Sequence, residues 1–307
     1  MRVDSVTGGR ACEWSDSSAL TLTSVFPEVG GRLLRHCIDQ WPVSFSDKPR
    51  ESGGQDPVVS IIVGVRGRGR LEQFRSCLAS LRAQVGVATE IVVVEQSWQR
   101  EFSDIIPSGV VYVHQQSTSQ DMPYNRSWAL NGGAMVARGR ILVLHDADMV
   151  LPERAAEEIV RAIDRGVDAV RLPRLLFYLD AESSAAIQRS REITADARME
   201  RVIANNRTPV AVTRDAYFAI GGHDERFYGW GAEDDEFMDR LRTRRIGEGA
   251  MLPVLHLWHQ SAAAGEARSR NSTLLERLRL TAAEDRIAEL GDRRIGASVP
   301  LAAWPVA

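Results

Sequence analysis

The sequence predicts an α/β fold built on a mostly parallel central sheet, and three observations carry that prediction. Short β-branched runs at 58–65, 90–95, 110–114 and 140–145 alternate with stretches of helical spacing at 71–84, 124–137 and 152–165. Strand–helix–strand repetition of this kind gives right-handed crossovers and parallel neighbours. The chemistry-bearing residues collect at the ends of the runs, where parallel sheets bind ligands. Arg66 and Arg68 follow the first, Glu95 ends the second, and Asp146 and Asp148 follow the fourth. With 307 residues, 44% of them hydrophobic, the chain can bury one large core or two small ones.

Residues 1–56 form a weakly patterned extension whose best element is one short helix at 31–41. Ser46 to Pro57 is polar and turn-rich, as a linker is. Val58 to Val65 then reads as a buried strand, and Leu71, Phe74, Leu78 and Leu81 share one face of a following helix. Glu90–Glu95 and Val110–His114 are the next strands. A helix runs from Tyr124 to Ala137 through Asn131-Gly132-Gly133, and Arg140–His145 is the fourth strand. Pro152 opens a helix reaching Arg165, because proline is tolerated in a first turn. Ser272 to Leu290 reads as a single amphipathic helix, and the apolar tail 299–307 carries no pattern. The main domain is expected over 57–265, with a helical extension over 266–307.

Composition removes several classes of function. A net charge of −3 makes no bulk electrostatic case for nucleic acid. Cys12, Cys37 and Cys77 lack CxxC spacing, against a zinc site or a disulfide framework and in keeping with a reducing compartment. No apolar run reaches the ~18–20 residues that span a bilayer. The first residues lack the apolar core of a signal peptide. The expectation is a cytoplasmic protein with no integral membrane association, and its Arg- and Ala-rich, Lys-poor usage suggests a GC-rich bacterial genome.

The chemistry concentrates in a few segments. Residues 227–237 read Phe-Tyr-Gly-Trp-Gly-Ala-Glu-Asp-Asp-Glu-Phe. Four consecutive acids repel one another and suit either a solvated helix start or a place beside cations and hydroxyls. Trp230 offers a flat wall for a sugar ring, and the glycines allow close backbone approach. Asp146-Ala147-Asp148 leaves a buried strand with two carboxylates that can reach one hard cation, or it is a capped loop. His256 and His259 stand three residues apart, as two ligands of one ion or as packed side chains. Arg66-Gly67-Arg68-Gly69-Arg70 is a solvated turn or a cradle for anionic oxygens. It is neither a P-loop nor the Rossmann fingerprint. Asn125 suits a helix cap, and Arg126 beside it can face an anion.

These segments, in this order, resemble the inverting GT-A glycosyltransferases, especially the β-1,4-galactosyltransferase type and bacterial family-2 enzymes. Ile61-Ile62-Val63-Gly64-Val65-Arg66-Gly67-Arg68 is similar to the family's Ile-Ile, then Pro-Phe-Arg-Asn-Arg, with Gly64 for proline and Gly67 for asparagine. Tyr124-Asn125-Arg126 resembles Phe-Asn-Arg, and Asp146-Ala147-Asp148 resembles Asp-Val-Asp. Gly229-Trp230-Gly231-Ala232-Glu233-Asp234-Asp235 resembles Gly-Trp-Gly-Gly-Glu-Asp-Asp, departing only at Ala232. His256 stands where the family has a methionine ligand, three residues before His259. The resemblance spans roughly 58–265.

The resemblance implies a GT-A domain over 57–265 that moves a hexose or N-acetylhexosamine from a nucleotide-diphosphate sugar, UDP by default, to an acceptor hydroxyl with inversion. It implies Mn²⁺ or Mg²⁺ on Asp148, His256 and His259. Arg66, Arg68, Glu95, Arg126 and Asp146 fall to the donor. Asp234 falls to the general base, with its proton affinity raised by acidic neighbours. Trp230, Glu233 and Asp235 fall to a carbohydrate or small-molecule acceptor. A retaining transferase of the N-acetylgalactosaminyl type, a non-catalytic carbohydrate-binding relic of the fold and, more remotely, a metal-dependent nucleotidyltransferase are the alternatives.

Overall fold

The computed structural model describes residues 2–3, 10–11, 17–48, 56–194, 196–206, 208–260, 265–293 and 295–296. Most of the N-terminal stretch, Cys12, residues 49–55 of the linker and the tail 299–307 lie outside the described residues. Near the N-terminus β1 (Arg2–Val3) pairs with β2 (Arg10–Ala11). β3 (Ser18–Ala19), α1 (Thr21–Val25) and α2 (Pro27–Gln40) follow. The helix expected at 31–41 thus begins earlier, because Pro27 fits a first turn, where no N–H is needed.

The expected alternation follows in β4 (Val59–Val65), α3 (Leu71–Arg82), β5 (Thr89–Ser97), β6 (Val111–Gln116), α4 (Arg126–Val136) and β7 (Ile141–His145). β4 lies between β5 and β7, and β6 lies outside β5, with every pair parallel. Strand alternation divides the core between the two faces. Val59, Ile61 and Val63 meet Phe74, Cys77 and Leu81 of α3 on one face, while Ile62, Val92 and Leu142 meet Ala129 and Leu130 of α4 on the other.

β8 (Met149–Val150) and α5 (Ala155–Asp164) come next. Pro152 therefore lies ahead of this helix rather than in its first turn. Its carbonyl accepts from Gln84 Nε2, and Glu153 pairs its backbone with Val85 and Pro42, so the segment is spent on tertiary bonds before the helix starts.

The remaining elements are β9 (Ala169–Leu179), α6 (Ala181–Ser190), β10 (Met199–Ala204), β11 (Val210–Thr213), α7 (Arg214–Ala219), α8 (Glu233–Leu241), β12 (Ile246–His256), α9 (Gly265–Leu278) and α10 (Ala283–Gly291). The sheet is mixed: beyond β7 the order continues β11-β9-β10-β3 through antiparallel pairs, while β12 runs parallel to β9. Two antiparallel steps return β9 and β12 to the direction of β7. The ends of β4, β7 and β12 therefore open on the same side. α2 is packed onto this second half of the sheet, with Leu34 and Cys37 against Phe177, Val202 and Leu255.

The single C-terminal helix expected at 272–290 is two helices, broken after Leu278, where Thr281 N–H closes a turn on the Leu278 carbonyl. The break lets α10 turn back onto α8. There Arg286 Nη1 donates to Glu236 Oε1 at 3.1 Å, and Arg240 Nη2 donates to Glu236 Oε2 at 2.6 Å. All three side chains are buried. Arg240 also donates to the carbonyls of Ile220 and Gly222, fixing the loop ahead of the acidic segment. A buried carboxylate with two guanidiniums is costly to break from one side, because the remaining charges stay out of water. Glu236→Gln is expected to lose about 3–5 kcal/mol of stability in urea unfolding. A loss under about 1 kcal/mol would show that this cluster does not hold α10 to α8.

Candidate active site

Pairing of β8 with β12 builds the first part of the site. His256 lies opposite Met149, and Leu257 N–H donates to the Asp148 carbonyl at 2.8 Å. The loop after His256 is tied down by Gln73, which donates to the Trp258 carbonyl, and by Ser184, which accepts from Trp258 N–H. His259 Nε2 thereby comes within 3.3 Å of Asp148 Oδ2, and His256 Nε2 within 3.7 Å of Oδ1. One ligand atom from each residue lies within 4.8 Å of the others, and one carboxylate with two imidazoles is a donor set that suits a borderline divalent ion. Burial opposes the charge of Asp148, but His259, His256 and Arg70 hold its carboxyl well below the usual range. Burial keeps His256 below the ordinary imidazole range against the pull of Asp148, which favours the neutral ring that a metal requires. Tyr178 stacks on His256 with ring centroids 4.4 Å apart and carries Arg201 4.1 Å above its own ring.

Asp146 faces the second part. Arg126 begins α4, where the Asn125 side chain caps the helix by accepting from Trp128 N–H at 2.9 Å. Arg126 Nε donates to Asp146 Oδ1 at 2.7 Å, and its Nη1 donates to Asp234 Oδ1 at 2.8 Å. One largely buried guanidinium thus joins the Asp146–Asp148 turn to the start of α8. The third nitrogen, Nη2, is buried with no hydrogen-bond partner among the described residues, as is Nη1 of Arg66.

Three of the four acids at the start of α8 take different surroundings. Glu236 turns inward to the buried arginines. Asp234 is partly exposed and paired with Arg126, so a countercharge stands beside its acidic neighbours. Glu233 is buried, Oε2 has no partner among the described residues, and burial, then the charge of Asp234, pushes its carboxyl up to about 7. The backbone before them is left-handed at Gly229, Gly231 and Ala232, and this turn leaves Trp230 57% exposed, with Arg268 of α9 5.2 Å from its ring centre.

Arg66 Nη2 donates to the Gln120 carbonyl at 3.2 Å. Arg68 instead turns outward to the Glu101 carbonyl and to Asp104, with Oδ1 2.5 Å from Nη2. Glu95 does not end its strand, because Gln96 and Ser97 continue the pairing with Gln115 and Gln116 of β6. It is buried, and its two oxygens accept from Ser97, Tyr112 and the N–H groups of Glu101 and Phe102. Burial opposes its charge, yet these bonds hold its carboxyl below the usual range. Arg68 and Glu95 thus grip one turn from opposite sides. The structure brings Asp146, Asp148, Arg126, Glu233, Asp234, His256 and His259 together, and places Arg68 and Glu95 in the framework of the 101–104 turn.

Two positioning residues escaped the sequence reading. Asn131 Oδ1 accepts from His223 N–H and Tyr217 Oη, while its Nδ2 donates to the His223 carbonyl and Glu225, which pins the loop leading into the acidic segment. Asn271 Nδ2 donates to the Tyr228 carbonyl at 3.1 Å. A lone asparagine on an otherwise apolar helix face was the available signal in both places.

The family profile described as glycosyl transferase family 2 matches residues 60–220. That of the N-terminal domain of galactosyltransferase matches 209–253. No curated protein sequence matches the chain. Among solved structures, the catalytic domain of Drosophila β1,4-galactosyltransferase 7 in complex with xylobiose aligns at 16% identity and TM-score 0.39, over 66% of this chain and 71% of that one. GalNAc-T7 with UDP, GalNAc and Mn²⁺ aligns at 11% identity and TM-score 0.50 over 80% of this chain, which spans 56% of the length of that one. The second alignment bears on the fold alone.

The position of Glu233 predicts a pH signature. Its folded pKa lies above the unfolded value of 4.5, so the stability it contributes is present below about pH 4.5 and is lost as pH rises through about 7. Relative to the parent, Glu233→Gln should therefore gain stability between pH 5 and pH 8, by on the order of 2 kcal/mol. Urea unfolding at the two pH values measures this, and a difference that does not change with pH would refute it.

Proposed function

The chain belongs to glycosyl transferase family 2 and is a glycosyltransferase, and from that premise we propose that it moves a sugar from a nucleotide-diphosphate donor, UDP-linked, to an acceptor hydroxyl with inversion. The bridge made by Arg126 carries the proposal. It sets Asp146 and the cluster of Asp148, His256 and His259 on one side and Asp234 on the other, with one guanidinium between. A leaving diphosphate needs cationic groups where its charge grows, and an attacking hydroxyl needs a base on the opposite face of the sugar.

Asp148, His256 and His259 would hold Mn²⁺, which when bound supplies positive charge at the diphosphate oxygens. Arg126, with one buried nitrogen unpaired among the described residues, and Arg66 would add guanidinium contacts to the same anion. Asp234 receives the acceptor proton. It is the more exposed of the first two acids of α8, whereas Glu233 is buried. Asp235 and Glu233 would orient acceptor hydroxyls, and Trp230 would lie flat on a sugar ring. Arg68 and Glu95 would shape the nucleoside end by fixing the 101–104 turn. The extensions at 1–56 and 266–307 flank a GT-A domain at 57–265. Inversion is checked by assigning the product anomer by NMR.

Asp148→Ala is expected to abolish Mn²⁺-dependent UDP binding in calorimetry while circular dichroism stays unchanged. Parent-like binding with Mn²⁺ enhancement intact would refute the metal assignment. Asp234→Asn should lower kcat by ~10²–10⁴-fold with little change in donor affinity, because a lost base affects the chemical step. Near-parental turnover would move the base to Glu233 or Asp235.

A further inference from the structure

Arg70 has no donor or acceptor role in the function proposed above. It ends the Arg66–Arg70 turn and stands just before α3. Its Nη1 donates to Asp148 Oδ2 at 2.9 Å, and its side chain is 45% exposed while that of Asp148 is 6% exposed. His259 Nε2 approaches the same oxygen at 3.3 Å. A divalent ion among Asp148, His256 and His259 draws on the charge and lone pairs of this carboxylate, and the Arg70 guanidinium already takes one of those on Oδ2, the oxygen that His259 approaches. The two cations compete for one anion. Arg70 can yield, because its side chain leads to solvent and Gly67 and Gly69 behind it have open space around them. Once displaced it lacks a countercharge, since Asp148 is its one side-chain partner among the described residues.

We propose that Arg70 is a displaceable cation: it neutralises Asp148 in the metal-free protein and, when a divalent ion takes Asp148, turns to the diphosphate oxygens of the donor. The proposal rests on the metal and diphosphate reading above. It makes metal and nucleotide mutually dependent, because the freed guanidinium regains an anionic partner when the diphosphate arrives. Arg70 therefore weakens binding of the metal alone and strengthens binding of nucleotide to the metal-loaded protein.

These opposite signs separate the idea from simple damage to the fold. Calorimetry on the full chain would titrate MnCl₂ alone, then UDP at saturating Mn²⁺, into the parent, Arg70→Gln and His259→Ala. Arg70→Gln should bind Mn²⁺ alone about 2–5-fold more tightly, as expected on removing a competing, partly exposed cation. It should bind UDP at saturating Mn²⁺ about 10-fold more weakly, as expected on losing a charge-assisted hydrogen bond. Unchanged or weaker Mn²⁺ binding by Arg70→Gln, or unchanged UDP binding, overturns the role of Arg70 when His259→Ala has lost Mn²⁺ binding. If the parent and His259→Ala bind Mn²⁺ alike, or neither binds it, the metal reading itself falls and this proposal falls with it.

Discussion

The candidate site depends on one largely buried guanidinium. Arg126 stands at the first residue of α4, where the sheet opens, and makes its two charge-assisted bonds to carboxylates from distant parts of the chain. Burial alone would disfavour its charge, and Asp146, Asp234 and Glu233 more than offset that cost. A single loop could not supply this arrangement. Asp146 is delivered by a parallel strand of the first half, and Asp234 by a helix inserted in the second half, between β11 and β12. Arg126 is therefore where the two halves of the fold exchange information about position.

What keeps Asp234 in reach lies outside the acidic motif. The start of α8 is fixed from below by Glu236 against Arg240 and Arg286, and from the side by Asn271 and Arg270 on the Tyr228 carbonyl. α9 and α10 act as a clamp on the segment 228–236. This gives the C-terminal helices a positioning task that their own sequence does not announce. It also explains why a helix break at 279–282 is useful, since a continuous helix could not reach both Tyr228 and Glu236.

The first half of the sheet was legible because its strands are uniform β-branched runs between helices of regular spacing. The second half was not. β9 carries Arg171, Pro173 and Arg174 within eleven residues, and β12 carries Gly247, Gly249 and Pro253, so neither shows a strand period. Both hold their place by tertiary pairing, with β9 served by β11 and β10 in turn while β12 lines its other edge. Residue types of the candidate site stand out in the sequence where chemistry restricts them, and Asp148, His256 and His259 do come within reach of one another. Orientation was not, because Arg66 and Arg68 sit two residues apart and yet one turns to Gln120 and the other to Asp104. Local sequence carries nothing about the 101–104 turn that draws Arg68 outward.

The departures from the resembled motifs also have physical reasons, and two of them explain each other. A Cβ at Gly64 would stand 2.2 Å from the Tyr124 hydroxyl, so the larger ring substituent at 124 and the missing side chain at 64 are compatible only together. The phenol sits where a proline at 64 would leave it no room. Ala232 is a different case. It adopts φ 69°, a region that costs an L-residue about 1–2 kcal/mol and that glycine enters freely. The cost is tolerated because the neighbouring backbone is fixed from both sides, with Gly229 N–H bonded to the Tyr124 carbonyl and Glu236 N–H to the Ala232 carbonyl. A strained residue held between two such anchors cannot relax without moving Glu233 and Asp234, so the turn that exposes Trp230 and the helix that presents the acids form one rigid unit.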